Sequence, residues 1–85
     1  MAHFAHINQF NTVDQIIVIS NEDCGGGIFP ESEPIGQAYI ASLGLEGLWL
    51  QTSYSGSFRG TYAGTGYYYD ALLDIFKVIP DESEI

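Results

Sequence analysis

Basic side chains are nearly absent from this chain of 85 residues. Arg59 and Lys77 are its only arginine and lysine, against 11 acidic residues, and the formal net charge is −9. Binding to nucleic-acid phosphates or to an anionic membrane surface requires a basic patch, which two cations cannot form. The composition therefore predicts a protein that binds neither nucleic acid nor membranes. A basic protein partner is compatible with this charge, which also serves to keep an apolar domain in solution.

Cysteine and long apolar runs are scarce as well. The single cysteine, Cys24, excludes a disulfide within the chain and a zinc cluster built from cysteines. The longest aliphatic run, Ile16 to Ile19, is far too short to span a bilayer. The first residues lack the basic and long apolar regions of a signal peptide. These features predict folding in a reducing cytoplasm without disulfide support.

Apolar and aromatic side chains are abundant: 46% of the residues are hydrophobic and 14% are aromatic. A domain of this length has a thin core, because it buries only roughly 60–65% of the surface that its unfolded chain exposes. Part of the apolar supply is therefore expected on the surface, where a contiguous patch marks an interface. We expect one domain over residues 1–85, with 80–85 as a short acidic tail, that forms a homo-oligomer or docks on another protein.

The pattern of apolar residues predicts an α+β fold with a small antiparallel sheet. Residues 2–7 and 12–20 favour an N-terminal hairpin, because asparagines flank the turn between them. The centre of the second segment is β-branched and apolar on both faces, which predicts a central strand that is covered on both sides. The rest of the chain is expected to form a third strand over 48–54, a long loop over 55–66, and a C-terminal hairpin from 67–70 and 75–79.

One helix is predicted between the N-terminal hairpin and the third strand, over about residues 32–43. Ser32 is expected to be its N-cap, and Gly44 is expected to follow its last turn. At helical spacing, five residues fall on one face that is expected to pack against the sheet: Ile35, Ala38, Tyr39, Ser42 and Leu43.

No motif in the sequence predicts catalysis, a metal or a cofactor. The glycine-rich loop lacks the spacing and the following lysine of a phosphate-binding loop. The sequence positions of His3 and His6 differ by an odd number, so the two side chains lie on opposite faces of a strand and do not share a metal. Asp70 and Asp74 flank a short connection, where each is expected to cap the turn instead of acting as a catalytic pair.

Aromatic residues are densest between residues 49 and 69. Tyrosine is enriched at interfaces because it combines a large apolar area with a hydroxyl group. Arg59, within this region, would stack on a ring or pair with a carboxylate. Alternation sends Tyr67 and Tyr69 one way and Tyr68 the other, so core and interface both remain open for these rings, and glycan binding is a third possibility. The candidate interaction residues are Trp49, Tyr54, Phe58, Arg59, Tyr62, Tyr67, Tyr68 and Tyr69.

Several segments of the chain carry a resemblance to a known family. They are Met-Ala-His-Phe-Ala at residues 1–5, Gly-Gly at 26–27, Pro-Glu-Ser-Glu-Pro-Ile-Gly at 30–36, Trp-Leu-Gln-Thr-Ser-Tyr-Ser-Gly-Ser-Phe-Arg at 49–59 and Tyr-Ala-Gly-Thr-Gly-Tyr-Tyr-Tyr-Asp at 62–70. This series resembles a family of short proteins of unassigned role in cyanophages and other marine bacteriophages. The resemblance implies a minor subunit of the virion, such as a capsid decoration or cement protein or a component of the tail or its fibres.

Three functional hypotheses follow from these observations. The first is a non-enzymatic structural subunit of the virion that docks through an aromatic surface onto phage structural proteins or onto itself. The second is a host-takeover factor that binds a bacterial protein in the host cytoplasm, for which an acidic chain suits a basic target. The third, an enzyme, has the least support, because no residues with complementary catalytic roles are apparent.

Overall fold

The computed structural model describes residues 2–78, so the acidic tail predicted over 80–85 lies outside the described part of the chain. One helix and two antiparallel sheets confirm the α+β fold. The elements in chain order are β1 (Ala2–Ile7), β2 (Val13–Ile19), a short 3-10 helix (Glu22–Cys24), α1 (Ser32–Ser42), β3 (Leu48–Thr52), β4 (Tyr68–Asp70) and β5 (Ile75–Lys77).

The larger sheet has the strand order β2-β1-β3, and both of its pairings are antiparallel. The N-terminal hairpin is confirmed, but β1 is the central strand, and the prediction that β2 is central is wrong. The apolar run of β2 is covered on both sides only in part, because Ile17 packs against one core and Ile16 against the other, whereas Val18 is 48% exposed. After α1 the chain runs back along the free edge of β1, so β3 pairs with β1 instead of β2.

Two cores lie on opposite faces of this sheet. The helix-side core consists of Ala2, Phe4, Ile19, Cys24, Ile40 and Trp49. The hairpin-side core consists of Ala5, Ile7, Val13, Leu50, Ala63 and Phe76, and it is covered by the second sheet, in which β4 pairs with β5. The long loop between β3 and β4 contributes Ala63, so the sheet lies between α1 on one side and the C-terminal hairpin with this loop on the other.

The face of α1 that packs on the sheet shares only Tyr39 with the predicted apolar face, since Tyr39 packs against the helix-side core. Ser32, Gly36 and Ile40 are buried, whereas Ile35 and Leu43 are 47% and 54% exposed. Gly36 explains the difference, because a Cβ at this position would lie 2.7 Å from Cε1 of Phe4. The missing side chain lets the helix approach the ring of Phe4, and this contact determines which face turns inward.

The N-cap prediction for Ser32 is also wrong. The cap residue is Glu31, and no side chain there bonds to the helix. The hydroxyl group of Ser32 is buried and donates a hydrogen bond of 2.7 Å to Oε1 of Gln51 on β3. A polar bond across the helix-sheet interface therefore takes the place of a cap. At the other end Gly44 follows the helix with a φ of 83°, as predicted.

Both predicted hairpin turns are held by side chains that bond to backbone N–H groups. The Oδ1 atom of Asn8 accepts hydrogen bonds from the N–H groups of Phe10 and Thr12 in the first turn. The Oδ1 atom of Asp70 accepts from two N–H groups in the turn between β4 and β5, which confirms its predicted capping role. Asp74 does not cap this turn, because its carboxylate bonds to the side chains of Arg59 and Tyr69.

Candidate interaction surface

Three rings meet on the hairpin-side face of the larger sheet, where β1 begins and β3 ends. We call His3, Tyr54 and Tyr62 the aromatic corner. The ring of His3 lies 5.5 Å from each tyrosine ring, and the two tyrosine rings are 5.2 Å apart, all measured between centroids. The strand register explains the meeting, because His3 on β1 lies opposite Thr52 on β3, two residues before Tyr54.

Hydrogen bonds from side chains fix the backbone next to the two tyrosines of this corner. Oγ1 of Thr52 accepts from the backbone N–H of Ala63 at 2.9 Å, which fixes the long loop on the sheet next to Tyr62. Tyr54 lies in a turn in which the hydroxyl oxygen of Ser53 accepts from the backbone N–H of Ser57 at 2.9 Å. The side chain of Tyr54 is 74% exposed and projects from a braced turn. Such a ring loses little conformational freedom on binding, which favours affinity.

The aromatic corner offers the outer faces of its rings, and it does not enclose a ligand. An aromatic cage holds a cation within about 6 Å of several ring centroids, with space between the rings. Here the rings contact one another and fill that space. Partial burial lowers the pKa of the His3 imidazole, which favours the neutral form of this ring. A flat or convex apolar surface with polar groups at its edge, as on another protein, fits this geometry best.

Arg59, a predicted interaction residue, lies instead in a network between α1, β3 and the β4–β5 turn. Its guanidinium forms a two-pronged ion pair with Glu33 and donates a 2.9 Å hydrogen bond to the backbone carbonyl oxygen of Gln51. Its Nε also donates to Asp74 at 2.8 Å. The guanidinium lies 5.0 Å from the ring centroid of Phe29, and the Arg59 side chain is only 8% exposed. Arg59 therefore joins distant parts of the fold.

Burial, charges and hydrogen bonds in this network shift the pKa values of Arg59, Asp74 and Tyr69. Burial alone would lower the pKa of the Arg59 guanidinium, but the hydrogen bonds and charges of Glu33 and Asp74 outweigh it and raise that pKa. Burial also opposes ionisation of Asp74, yet the hydrogen bonds from Tyr69 and Arg59 lower the pKa of its carboxyl group. Burial, followed by the bond to Asp74, raises the pKa of Tyr69 to about 12.

The raised pKa of Tyr69 predicts a loss of stability in alkali. In the unfolded chain this phenol loses its proton near pH 10, whereas in the folded chain it keeps the proton until about pH 12. Between these values the folded state binds more protons than the unfolded state, so stability falls as the pH rises. We expect the urea midpoint of the wild type to fall more steeply from pH 10 to 12 than that of Tyr69→Phe. Parallel slopes would contradict the raised pKa of Tyr69.

The other predicted interaction residues lie at separate places. Trp49 is buried in the helix-side core, and its indole N–H donates to the carbonyl oxygen of Glu46 at 3.2 Å. The ring of Phe58 stacks on Phe29 with 3.9 Å between centroids. The three remaining tyrosines follow the predicted alternation: Tyr67 and Tyr69 pack against the hairpin-side core, while Tyr68 is 38% exposed. From the candidate set the structure thus brings Tyr54 and Tyr62 together in the aromatic corner, while Arg59 and Tyr69 meet at Asp74 in a separate network.

His3 is the member of the aromatic corner that sequence analysis missed as an interaction residue. The predicted separation of the two histidines is correct, because His3 contacts the corner while His6 contacts Trp49 and Asp14 on the helix side. The available signal was this alternation along β1. This alternation places the two histidines on opposite faces of the sheet, but it does not show that Tyr54 and Tyr62 lie next to His3.

Large apolar side chains are also exposed elsewhere on the molecule, as expected from the composition. A cavity of about 210 Å³ lies between the end of α1 and the start of β3, next to Ala41, Leu45 and Leu48. It is smaller than the usual range of about 300–1,000 Å³ for small-molecule sites. In the part of the chain that the structure describes, the large apolar residues with the most exposed side chains are Leu72, Ile28, Tyr54, Phe10, Val78, Leu73, Leu43, Leu48, Val18, Ile35, Leu45 and Tyr68.

Within residues 2–78, no group of three or more histidine, cysteine, aspartate or glutamate side chains is placed to hold a metal ion. Over the same range, no helix has the length and apolar character needed to cross a membrane. Comparison of the whole chain with models of protein families, with curated proteins and with solved structures found no significant match.

Proposed function

We propose that this chain is a non-enzymatic binding protein that docks through the aromatic corner onto a protein surface with an apolar centre and a basic rim. The observation that carries the proposal is Tyr54, whose ring is 74% exposed although its turn and its neighbouring rings hold it in place. A large ring that is rigid and exposed contributes little to folding. Such rings are frequent among the residues that dominate binding energies at protein interfaces.

The charge of the chain indicates the character of the partner. With a formal net charge of −9, the protein repels acidic surfaces and attracts basic ones over about one Debye length, roughly 8–10 Å at physiological salt. A basic rim around an apolar centre would increase the rate of encounter, and the rings of the corner would supply the short-range contact. Binding of such a partner should therefore weaken as salt is added.

The resemblance to short proteins of cyanophages and other marine bacteriophages supplies the biological setting of the proposal. In that setting the chain is a minor subunit of the virion, seated on capsid, tail or fibre proteins. A subunit of this kind is small, performs no chemistry, and occupies repeated positions on a symmetric lattice. The exposed rings and the lack of a sequence motif for catalysis support this role over an enzymatic one.

Mass spectrometry of purified particles of the phage that encodes the chain tests the virion role. We expect the protein in a constant ratio to the major structural proteins, retained after density-gradient purification. Absence from the particles, combined with expression early in infection, would overturn the virion role. That result would support the second hypothesis, in which the chain binds and diverts a bacterial protein.

A further inference from the structure

The two outer strands of the larger sheet, β3 and β2, differ in whether other groups bond to the backbone N–H and C=O groups along their free edges. On β3, side chains bond to the outward-pointing backbone groups. The side-chain amide of Gln37 donates to the carbonyl oxygen of Trp49 at 2.6 Å, and the N–H of Gln51 donates to the carboxylate of Glu33 at 2.8 Å. Arg59 donates to the carbonyl oxygen of Gln51. This edge is closed to another strand, which is a common protection against pairing with other chains.

The outer edge of β2 is covered only at its beginning. The N–H of Val13 donates to the carbonyl oxygen of Tyr67 at 2.8 Å, and the carbonyl oxygen of Val13 accepts from the N–H of Gly66 at 2.7 Å. The pairing with β1 shifts by one residue after Val13, because Ile7 lies opposite Val13 whereas His6 lies opposite Gln15. Beyond this bulge the alternation of backbone groups directs those of Ile16 and Val18 outward as well. Among residues 2–78, no backbone or side-chain group bonds to them outside the sheet.

We propose that this open edge pairs with the same segment of a second copy of the chain, in an antiparallel arrangement about a two-fold axis at Ile17. With the axis there, Ile16 of each copy lies opposite Val18 of the other. Both residues direct their N–H and C=O groups outward, so the two positions form hydrogen-bonded pairs in each direction. The result is a continuous six-stranded sheet with both helices on one face and both aromatic corners on the other.

The side chains of β2 suit a partner identical to itself. On the hairpin-side face, Val18 is 48% exposed and would contact Ile16 of the second copy. Cross-strand pairs of β-branched residues stabilise sheets. The same register sets Asp14 opposite Ser20, so the segment brings no like charges face to face. A second copy is therefore the occupant that this edge fits, and the inference does not depend on the proposed function.

The net charge of the chain opposes this association and gives it a recognisable salt dependence. Two copies that each carry a formal charge of −9 repel one another at low ionic strength, while the apolar contact and the backbone bonds are insensitive to screening. Self-association should therefore strengthen as salt is added. Docking on a basic partner has the opposite dependence, so salt separates the two kinds of contact.

Sedimentation velocity of the full chain from micromolar to millimolar concentration tests the proposal, together with hydrogen exchange of the Ile16 and Val18 amides. We expect a concentration-dependent dimer and slower exchange of these two amides as the dimer forms. Val18→Lys should weaken dimerisation at least tenfold, because a lysine on an edge strand resists pairing. Leu72→Lys is the matched control, since it makes the same charge change at a side chain that is 98% exposed, and it should dimerise like the wild type.

Three results would overturn the inference. One is a chain that stays monomeric throughout the concentration range. Another is a Val18→Lys variant that melts and dimerises like the wild type. The third is protection of both amides that is equal at every concentration, which would assign the edge to another segment of the same chain. Because Val18 is half exposed, its replacement should leave the melting temperature close to that of Leu72→Lys.

Discussion

Replacing Arg59 with alanine is expected to lower the free energy of unfolding by about 2–4 kcal/mol. The substitution removes both prongs of the ion pair with Glu33 and leaves the carbonyl oxygen of Gln51 without its donor. Removing one partner of a buried ion pair costs about 3–5 kcal/mol, because the other charge stays buried and uncompensated. Glu33 keeps 15% of its side chain exposed, which centres the expected loss on the lower end of that range. Urea unfolding followed by circular dichroism measures it.

Two variants show whether the Arg59 effect depends on geometry. Arg59→Lys keeps the charge but loses the planar fork that reaches Glu33 and Asp74 together, so we expect it to recover only part of the stability. Lys77→Ala is the control for loss of a cation, because Lys77 is 45% exposed in its pair with Asp70. That variant should unfold at nearly the wild-type urea concentration. Equal losses in Arg59→Ala and Lys77→Ala would contradict a structural role for the Arg59 network.

Gly36→Ala is expected to destabilise the protein by about 1–3 kcal/mol, the usual cost of overpacking a core. In an exposed helix the same change would stabilise by up to about 1 kcal/mol, since alanine is the better helix former. Here the added Cβ would lie 2.7 Å from Cε1 of Phe4 and 3.0 Å from Sγ of Cys24. The helix would have to move off the sheet. Thermal and urea unfolding measure the change in stability.

Gly27→Ala is the matched control for Gly36→Ala. A Cβ at residue 27 meets no atom within 4 Å, and its backbone does not have a positive φ. We expect its stability to stay within about 0.5 kcal/mol of the wild type. Phe4→Leu should partly rescue Gly36→Ala, because a smaller side chain leaves room for the added methyl group, and a double-mutant cycle would show that coupling. Additive effects of the two changes would contradict the direct contact between helix and ring.

Features set by local sequence could be predicted for this fold. The β-branched run of β2, the asparagine turn before it and Gly44 after the helix all act through neighbouring residues. The structure confirms the hairpin, the turn and the end of the helix. The alternation that separates Tyr68 from Tyr67 and Tyr69 is confirmed for the same reason. A period of two residues is a property of the strand itself.

Features that depend on distant residues were missed. The buried face of α1 is set by Gly36, a residue that counts as neither large nor apolar, because Phe4 needs the space above it. The ion pair between Arg59 and Glu33 joins residues that are 26 positions apart. Their types allowed this pair, but no local pattern selects it among the acidic residues of the chain. Strand order is a further case, since only the path after the helix makes β1 central.

The same distinction explains the outcome for the candidate interaction residues. The high aromatic and apolar content of the chain predicted that some large apolar side chains would be exposed, and the structure shows such side chains at the surface. Which of these rings are exposed depends on the tertiary structure. Trp49 lies inside because α1 covers it, whereas Tyr54 lies outside because β3 ends at Thr52 and the chain turns.

The proposed role of the Tyr54 ring is tested most directly by two measurements on Tyr54→Ala, its melting temperature and its number of copies in purified particles. We expect a shift in melting temperature of no more than about 4 °C, as for a surface substitution. We expect a loss of at least about tenfold in copies per particle, as for a ring that dominates an interface. Wild-type copy number in the variant, or a large fall in melting temperature that accounts for the lost copies, would contradict the claim that this ring serves binding and not folding.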